Sequence, residues 1–206
     1  MRRPRAAASR GRRNLRPRDA PRFALFGETL LTGIVVLVAS LPIVTAVPAI
    51  VAGVRHLRRH ATGESDRLLD LAADIADAVR RLWALGAVVG SVAVLLTVDV
   101  VALIVFAVPG SATVSIVLAV IVAAGAVVLL RFAGGWHPHA PVRAQLRRAA
   151  HESIADGAGS ALLLLAVCSA GLLVWMFPAF LLLVGGLLCL AAYGVDARLE
   201  ALSTEE

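Results

Sequence analysis

The feature that most limits what this chain can fold into is a series of apolar runs too long for a water-soluble domain to bury. Residues 82–108 contain one charge, Asp99, in 27 positions. One helical crossing of a bilayer needs about 20 apolar residues, and further runs occupy 24–54, 114–132, 159–177 and 179–195. Of the 206 residues 59% are hydrophobic and 17% charged, with a mean hydropathy of +0.85. Globular domains hold about 45–50% apolar and about 25% charged residues, so a soluble fold is excluded. The expectation is an all-α, polytopic transmembrane helix bundle of five to six membrane segments with two cytoplasmic amphipathic helices.

All 20 basic residues are Arg, against 14 acidic ones, for a net charge of +6. Such an excess fits either nucleic acid or an anionic membrane. Single-stranded nucleic-acid surfaces interleave basic residues with aromatics, whereas here the Phe, Trp and Tyr residues lie mostly in or beside apolar runs that Arg residues flank. The expected partner is therefore a lipid bilayer with anionic headgroups, each nearby Arg contributing about 1 kcal/mol, and not nucleic acid. The absence of Lys also excludes a P-loop.

The segments follow from composition and punctuation. Residues 1–22 carry nine Arg and little apolar surface, which predicts a disordered cytoplasmic arm. In 24–54, Pro42 and Pro48 interrupt helix hydrogen bonding, predicting a membrane helix over about 24–41 and a broken or re-entrant half over 43–54. An amphipathic helix is expected at 65–81, since Leu68, Leu71, Ala72, Ile75, Val79 and Leu82 recur at helical spacing. Membrane helices at about 84–108 and 114–132 flank Pro109-Gly110-Ser111. A second amphipathic helix covers 141–156, segments 159–177 and 179–195 flank Pro178, and 199–206 forms a short tail. Ile75-Ala76-Asp77 recurs as Ile154-Ala155-Asp156, a weak hint of internal duplication.

Arg residues cluster in the amino-terminal arm, in 55–81 and in 131–148, with none in the turns near 109 and 178. The positive-inside rule places those clusters in the cytoplasm, with both termini. The arm and 55–81 can share a side only if 24–54 returns on itself, giving six crossings or a re-entrant piece. A single crossing gives five, with six Arg outside.

The stretch LPIVTAVPAIVAGVRHLRR, Leu41 to Arg59, followed by Gly63-Glu64-Ser65 and an amphipathic helix, resembles the YesL family of bacterial membrane proteins, a domain of unknown function. The residues that carry the likeness are Leu41, Pro42, Thr45, Pro48 and Ala49. The resemblance implies a bacterial cell-membrane protein, often encoded near carbohydrate uptake genes, with no known activity or cofactor.

Asp99 is the one acidic residue well inside a later run, and an intramembrane carboxylate is a functional candidate because it is costly in lipid. Asp99 could bind a cation or relay a proton, or else lie near the interface or bond a neighbouring hydroxyl. Thr45 and the carbonyls freed around Pro42 form a second candidate, since broken membrane helices persist only where protein or water satisfies the backbone. Glu28 reads as an interfacial charge. His56 with His60, and His137 with His139, lack the three or four converging ligands zinc requires. Cys168 and Cys189 read as packing residues, and Gly86 with Gly90, and Gly185 with Gly186, as helix contact points. The expectation is a non-enzymatic protein without cofactor that serves as an accessory or assembly partner, its membrane-protein partner being for example a sugar transporter. A homo-oligomer is compatible with it. The alternative is a small transporter or channel using Asp99 and the Pro42–Pro48 break.

Overall fold

A computed structural model describes residues 20–62, 68–106 and 109–203. The Arg-rich arm up to residue 19, Gly63-Glu64-Ser65 and the last three residues of the tail lie outside the described residues. All regular structure among those described is helical. Helix α1 covers Ala20–Ala39, α2 Ala46–Thr62, α3 Leu68–Val105, α4 Ser111–Gly134, α5 Val142–Ala155, α6 Gly157–Met176 and α7 Leu181–Ser203, with 3-10 turns at Ile43–Thr45 and Pro178–Phe180. Four stretches are long and apolar enough to cross a membrane, within Leu71–Leu103, Ser111–Gly134, Gly157–Met176 and Pro178–Leu202, and Thr29–Ala39 is a shorter apolar one. The protein is thus a multi-pass helical membrane protein.

The described residues form three hairpins, α1/α2, α3/α4 and α6/α7, and the sequence has no basic residue at their tips. Their other ends meet, so the carboxyl end of α2, the start of α3, the end of α4, α5, the start of α6 and the end of α7 form one charged layer. The two ends of the 24–54 stretch accordingly point the same way. Of the alternatives the sequence left open for this stretch, the structure has the returning one.

Helix α2 differs most from expectation. The stretch 43–54, expected either as a broken or re-entrant half or as the short second limb of a hairpin, leads through the 3-10 turn into a helix that runs on to Thr62 and lies at the centre of the bundle, with Val47, Ala49, Val51, Ala52, Val54, His56 and Leu57 all buried. Its first half, residues 46–54, is apolar all round and so must be enclosed by protein or lipid, and here α1, α3, α4 and α7 enclose it. Pro48 does not break the helix, because it lies in the first turn, where backbone N–H groups have no helical acceptor.

The predicted surface helix at 65–81 and membrane helix at 84–108 are likewise one 38-residue helix, α3. No Pro or Gly stands between Arg81 and Leu85, so backbone hydrogen bonding continues through the change in polarity. The second amphipathic helix is separate, as expected, since Asp156 ends α5 and caps α6. The two Ile-Ala-Asp triplets occupy unlike settings: Ile75 is half-buried and Ile154 is 86% exposed.

Close helix approach depends on glycine. A Cβ on Gly86 would overlap the Val44 carbonyl, and one on Gly186 would overlap the Thr29 carbonyl. Gly86 thus seats the 3-10 turn of the first hairpin on α3, and Gly186 seats α1 on α7. Beyond Gly90, α3 continues for 15 residues to Val105, about 22 Å of helix rise. No described residue of 91–105 or 111–126 is buried, so the outer halves of α3 and α4 stand as an aliphatic hairpin.

Candidate functional site

The charged layer joins side chains that are far apart in sequence. Arg58 on α2 donates through Nη2 to the Gly134 carbonyl at 2.7 Å and to the Asp196 carboxylate on α7. Its guanidinium carbon lies 6.0 Å from the Tyr193 ring centre, at the edge of cation–π range. Arg59 pairs with Asp74 on α3, and Arg55 Nη1 lies 3.4 Å from the same carboxylate. The carboxyl end of the central helix is thereby tied to α3, α4 and α7.

Arg131, at the end of α4, is the most enclosed of these charges, with a side chain 2% exposed. Its Nη2 lies 2.9 Å from both the carbonyl and the Oδ2 of Asp156, and 3.1 Å from Ser160 Oγ. Ser160 Oγ donates in turn to the Ser153 carbonyl on α5 at 2.8 Å. The other Asp156 oxygen accepts from the Gly159 N–H at 3.0 Å, capping α6. That backbone donor, followed by the Arg131 guanidinium, holds the Asp156 carboxyl below the ordinary carboxylate range. One Asp residue thus ends α5 through its backbone N–H, and through its carboxylate starts α6 and anchors α4. Arg131 Nε and Nη1 are buried without a partner among the described residues. On the outer side of this layer, Arg81 with Asp77 and Arg148 with Glu152 form solvent-accessible pairs one helical turn apart, each worth only about 0.3–0.5 kcal/mol.

A second polar clamp closes the α4–α5 connection. Gln145, 9% exposed, accepts from the His137 N–H at 2.7 Å and donates to the His137 and Ala140 carbonyls, both at 2.9 Å. This occupies the backbone of the Trp136–Ala140 turn. His137 Nδ1 itself lies 2.9 Å from the Gly135 carbonyl, and among the described residues no cluster of three or more His, Cys, Asp or Glu is placed to hold a metal ion.

The residues singled out in the sequence separate into two places. Thr45 Oγ1 lies 2.5 Å from the Ala39 carbonyl and 2.6 Å from the Pro42 carbonyl, its single O–H shared between them, so the hydroxyl closes the turn between α1 and α2. Leu41 and Pro42 are exposed at that turn, and Pro48 is buried beneath it. Asp99 is elsewhere: it is exposed on the outer half of α3, nine residues past Gly90, with no hydrogen bond or ion pair to the described residues. The nearby Thr97 hydroxyl is taken by the Ala93 carbonyl at 2.8 Å. Asp99 and the proline turn therefore do not form a common polar site. The side chain of Glu28 lies outside the described residues. Cys168 is exposed, and Cys189 is buried with its Sγ 3.6 Å from the Ile50 carbonyl.

The residues that build the charged layer, Arg58, Arg131, Asp156 and Asp196, were not visible as a group in the sequence. Arg58 and Asp196 are 138 positions apart, and no spacing rule connects them. Asp156 alone carried a local signal, an Asp before Gly at the start of an apolar run, which is a helix N-cap pattern. In comparisons with known proteins, no family model, no curated protein and no solved structure matches the chain.

Proposed function

We propose that this protein is a non-enzymatic accessory or assembly partner of another membrane protein, in a system of carbohydrate uptake. The observation that carries this reading is the division of the molecule. Its enclosed charges are engaged at one end in fastening its own helices, while the outer halves of α3 and α4 present a long aliphatic surface without a buried residue. A catalyst needs converging polar groups around a pocket, whereas membrane helices associate through packing of apolar and small side chains. The same surface suits a second copy of the chain.

At the charged end, α5 exposes Arg143, Arg147 and His151, spaced one helical turn apart, with Ile154. A basic stripe beside an apolar residue suits a layer of anionic headgroups. The Arg excess at this end supports placing it, with both termini, in the cytoplasm of a bacterial cell. The likeness of Leu41–Arg59 to the YesL family supports the link to carbohydrate uptake. The transporter reading has less behind it, since Asp99 stands apart from the Pro42–Pro48 turn.

The test is deletion of the gene, with uptake of a panel of sugars measured in the parent and deletion strains. Impaired uptake of one sugar, restored by the wild-type gene, is the expected result. Unchanged uptake of every sugar tested would refute the carbohydrate link.

A further inference from the structure

An apolar cavity of about 220 Å³ lies where α2, α3, α4, α6 and α7 meet. Its inner wall is the first two turns of α2, at Ala46, Val47 and Ile50, and α4 closes it with Ala126 and Ala133. Every lining side chain is aliphatic. Three of the wall positions are alanine, and α3 and α4 share few contacts with one another, so the space between helices is left unfilled. Cavities of roughly 150 Å³ lined by such side chains stay free of water and admit apolar guests.

The surroundings of the cavity say which guest can reach it. Val47 and Leu130 on the inner side are 6% and 4% exposed, while Ala126 and Val167 are half-buried. Past Ala126, α4 has no buried residue as far as its start at Ser111, and past Gly90 the described residues of α3 have none either. The cavity therefore continues into the aliphatic surface that the membrane helices present to hydrocarbon. A polar ligand would enter only by giving up its hydrogen bonds to water without replacement.

We infer that this cavity is a binding site for the acyl chain of a membrane lipid, which enters between α3 and α4 and ends against the first turns of α2. A methylene chain is thin enough to pass between two helices, and at this depth it is the abundant apolar species. The lipid then completes the packing of the central helix. This site is independent of the accessory role proposed above and requires only that the bundle be embedded in a bilayer.

The test uses the purified full chain in vesicles of phosphatidylcholine bearing a diazirine near the end of one acyl chain, irradiated and mapped by mass spectrometry. Adducts are expected at Val47 or Ile50, with about tenfold fewer of them in Ala126→Leu. Adducts at the exposed Leu95 of α3 should stay at the wild-type level, which also shows that the variant is inserted. If Ala126→Leu loses its helix content, Ala133→Val narrows the same space from two turns further along α4 and is expected to give the same selective loss. Val47 and Ile50 free of adducts while Leu95 is labelled would overturn the proposal. So would adducts at Val47 or Ile50 that persist undiminished in a folded filled variant.

Discussion

Replacing Arg131 by Met should destabilise the bundle more than replacing any exposed Arg, and the structure sets the scale. The Arg131 side chain is 2% exposed and that of Asp156 17% exposed, so the pair is enclosed on one side and nearly so on the other. Removing one partner of a buried pair costs about 3–5 kcal/mol, because the remaining charge stays buried without compensation. Arg131→Met strands the Asp156 carboxylate, although the Gly159 N–H still reaches it at 3.0 Å, so a loss near the lower end, about 3 kcal/mol, is expected. Asp156→Asn keeps one oxygen, enough for the Gly159 cap, but replaces the oxygen that accepts from Arg131 by an NH2 donor and removes the charge. Asp156→Ala also removes the cap, at about 1 kcal/mol more. In the double variant Arg131→Met, Asp156→Asn no charge is stranded, so its cost should fall below the sum of the single costs by about 1–3 kcal/mol. The assay is reversible unfolding by sodium dodecyl sulfate in mixed micelles, followed by helical circular dichroism for all four variants. A loss under about 1 kcal/mol for Arg131→Met, or costs that add within about 0.5 kcal/mol, would show the pair to be solvated and refute this reasoning.

The same pair has a pH signature. Because the folded carboxyl of Asp156 titrates below its unfolded value of about 3.9, its contribution is fully present above that pH and is lost as pH falls through the lowered folded value. The unfolding midpoint should therefore show no Asp156-dependent change between pH 7 and about 5, and Asp156→Asn should lessen the decline below about pH 4. Gly186→Ala drives a Cβ into the Thr29 carbonyl and should cost about 1–3 kcal/mol, whereas Gly125→Ala meets nothing within 4 Å and should leave the same midpoint unchanged or slightly raised. Thr45→Val removes the hydroxyl that closes the first hairpin and should cost about 1 kcal/mol, with Thr45→Ser restoring most of it. Single cysteines at Ser111 and Ala144, in a Cys168→Ser, Cys189→Ala background, should react with an impermeant maleimide from opposite sides of the membrane. Labelling of both from one side would contradict the gathering of the charged segments at a single end.

Much of the architecture was legible along the chain because the membrane imposes a length and a polarity that a single segment must meet by itself. The apolar run at 114–132 falls inside α4, that at 159–177 covers α6 and its cap residue Phe177, and that at 179–195 falls within the Pro178–Phe180 turn and α7. The turns at Pro109-Gly110 and Pro178 fall where punctuation put them, and Gly110 takes the left-handed backbone, φ 83°, that favours glycine. The fusion of 65–81 with 84–108 was not legible. A shift from Asp and Arg to Val and Leu marks where the surroundings of a helix change, while its hydrogen bonding ends only at a breaker or a cap, and none stands between Arg81 and Leu85.

The sequence by itself determined the solvent of this protein, its helical class and the grouping of its Arg residues, since each depends on residues near one another in the chain. Only the tertiary structure decided that the apolar turns of α2 are enclosed by helices rather than by lipid, because both media accept the same side chains. It alone brought Arg58 to Asp196, Arg131 to Asp156 and the Thr45 hydroxyl to the end of α1. It also left Asp99 without a partner among the described residues. An enclosed charge needs a counter-charge within a few ångströms in space, and distance along the chain carries no record of which one it will meet.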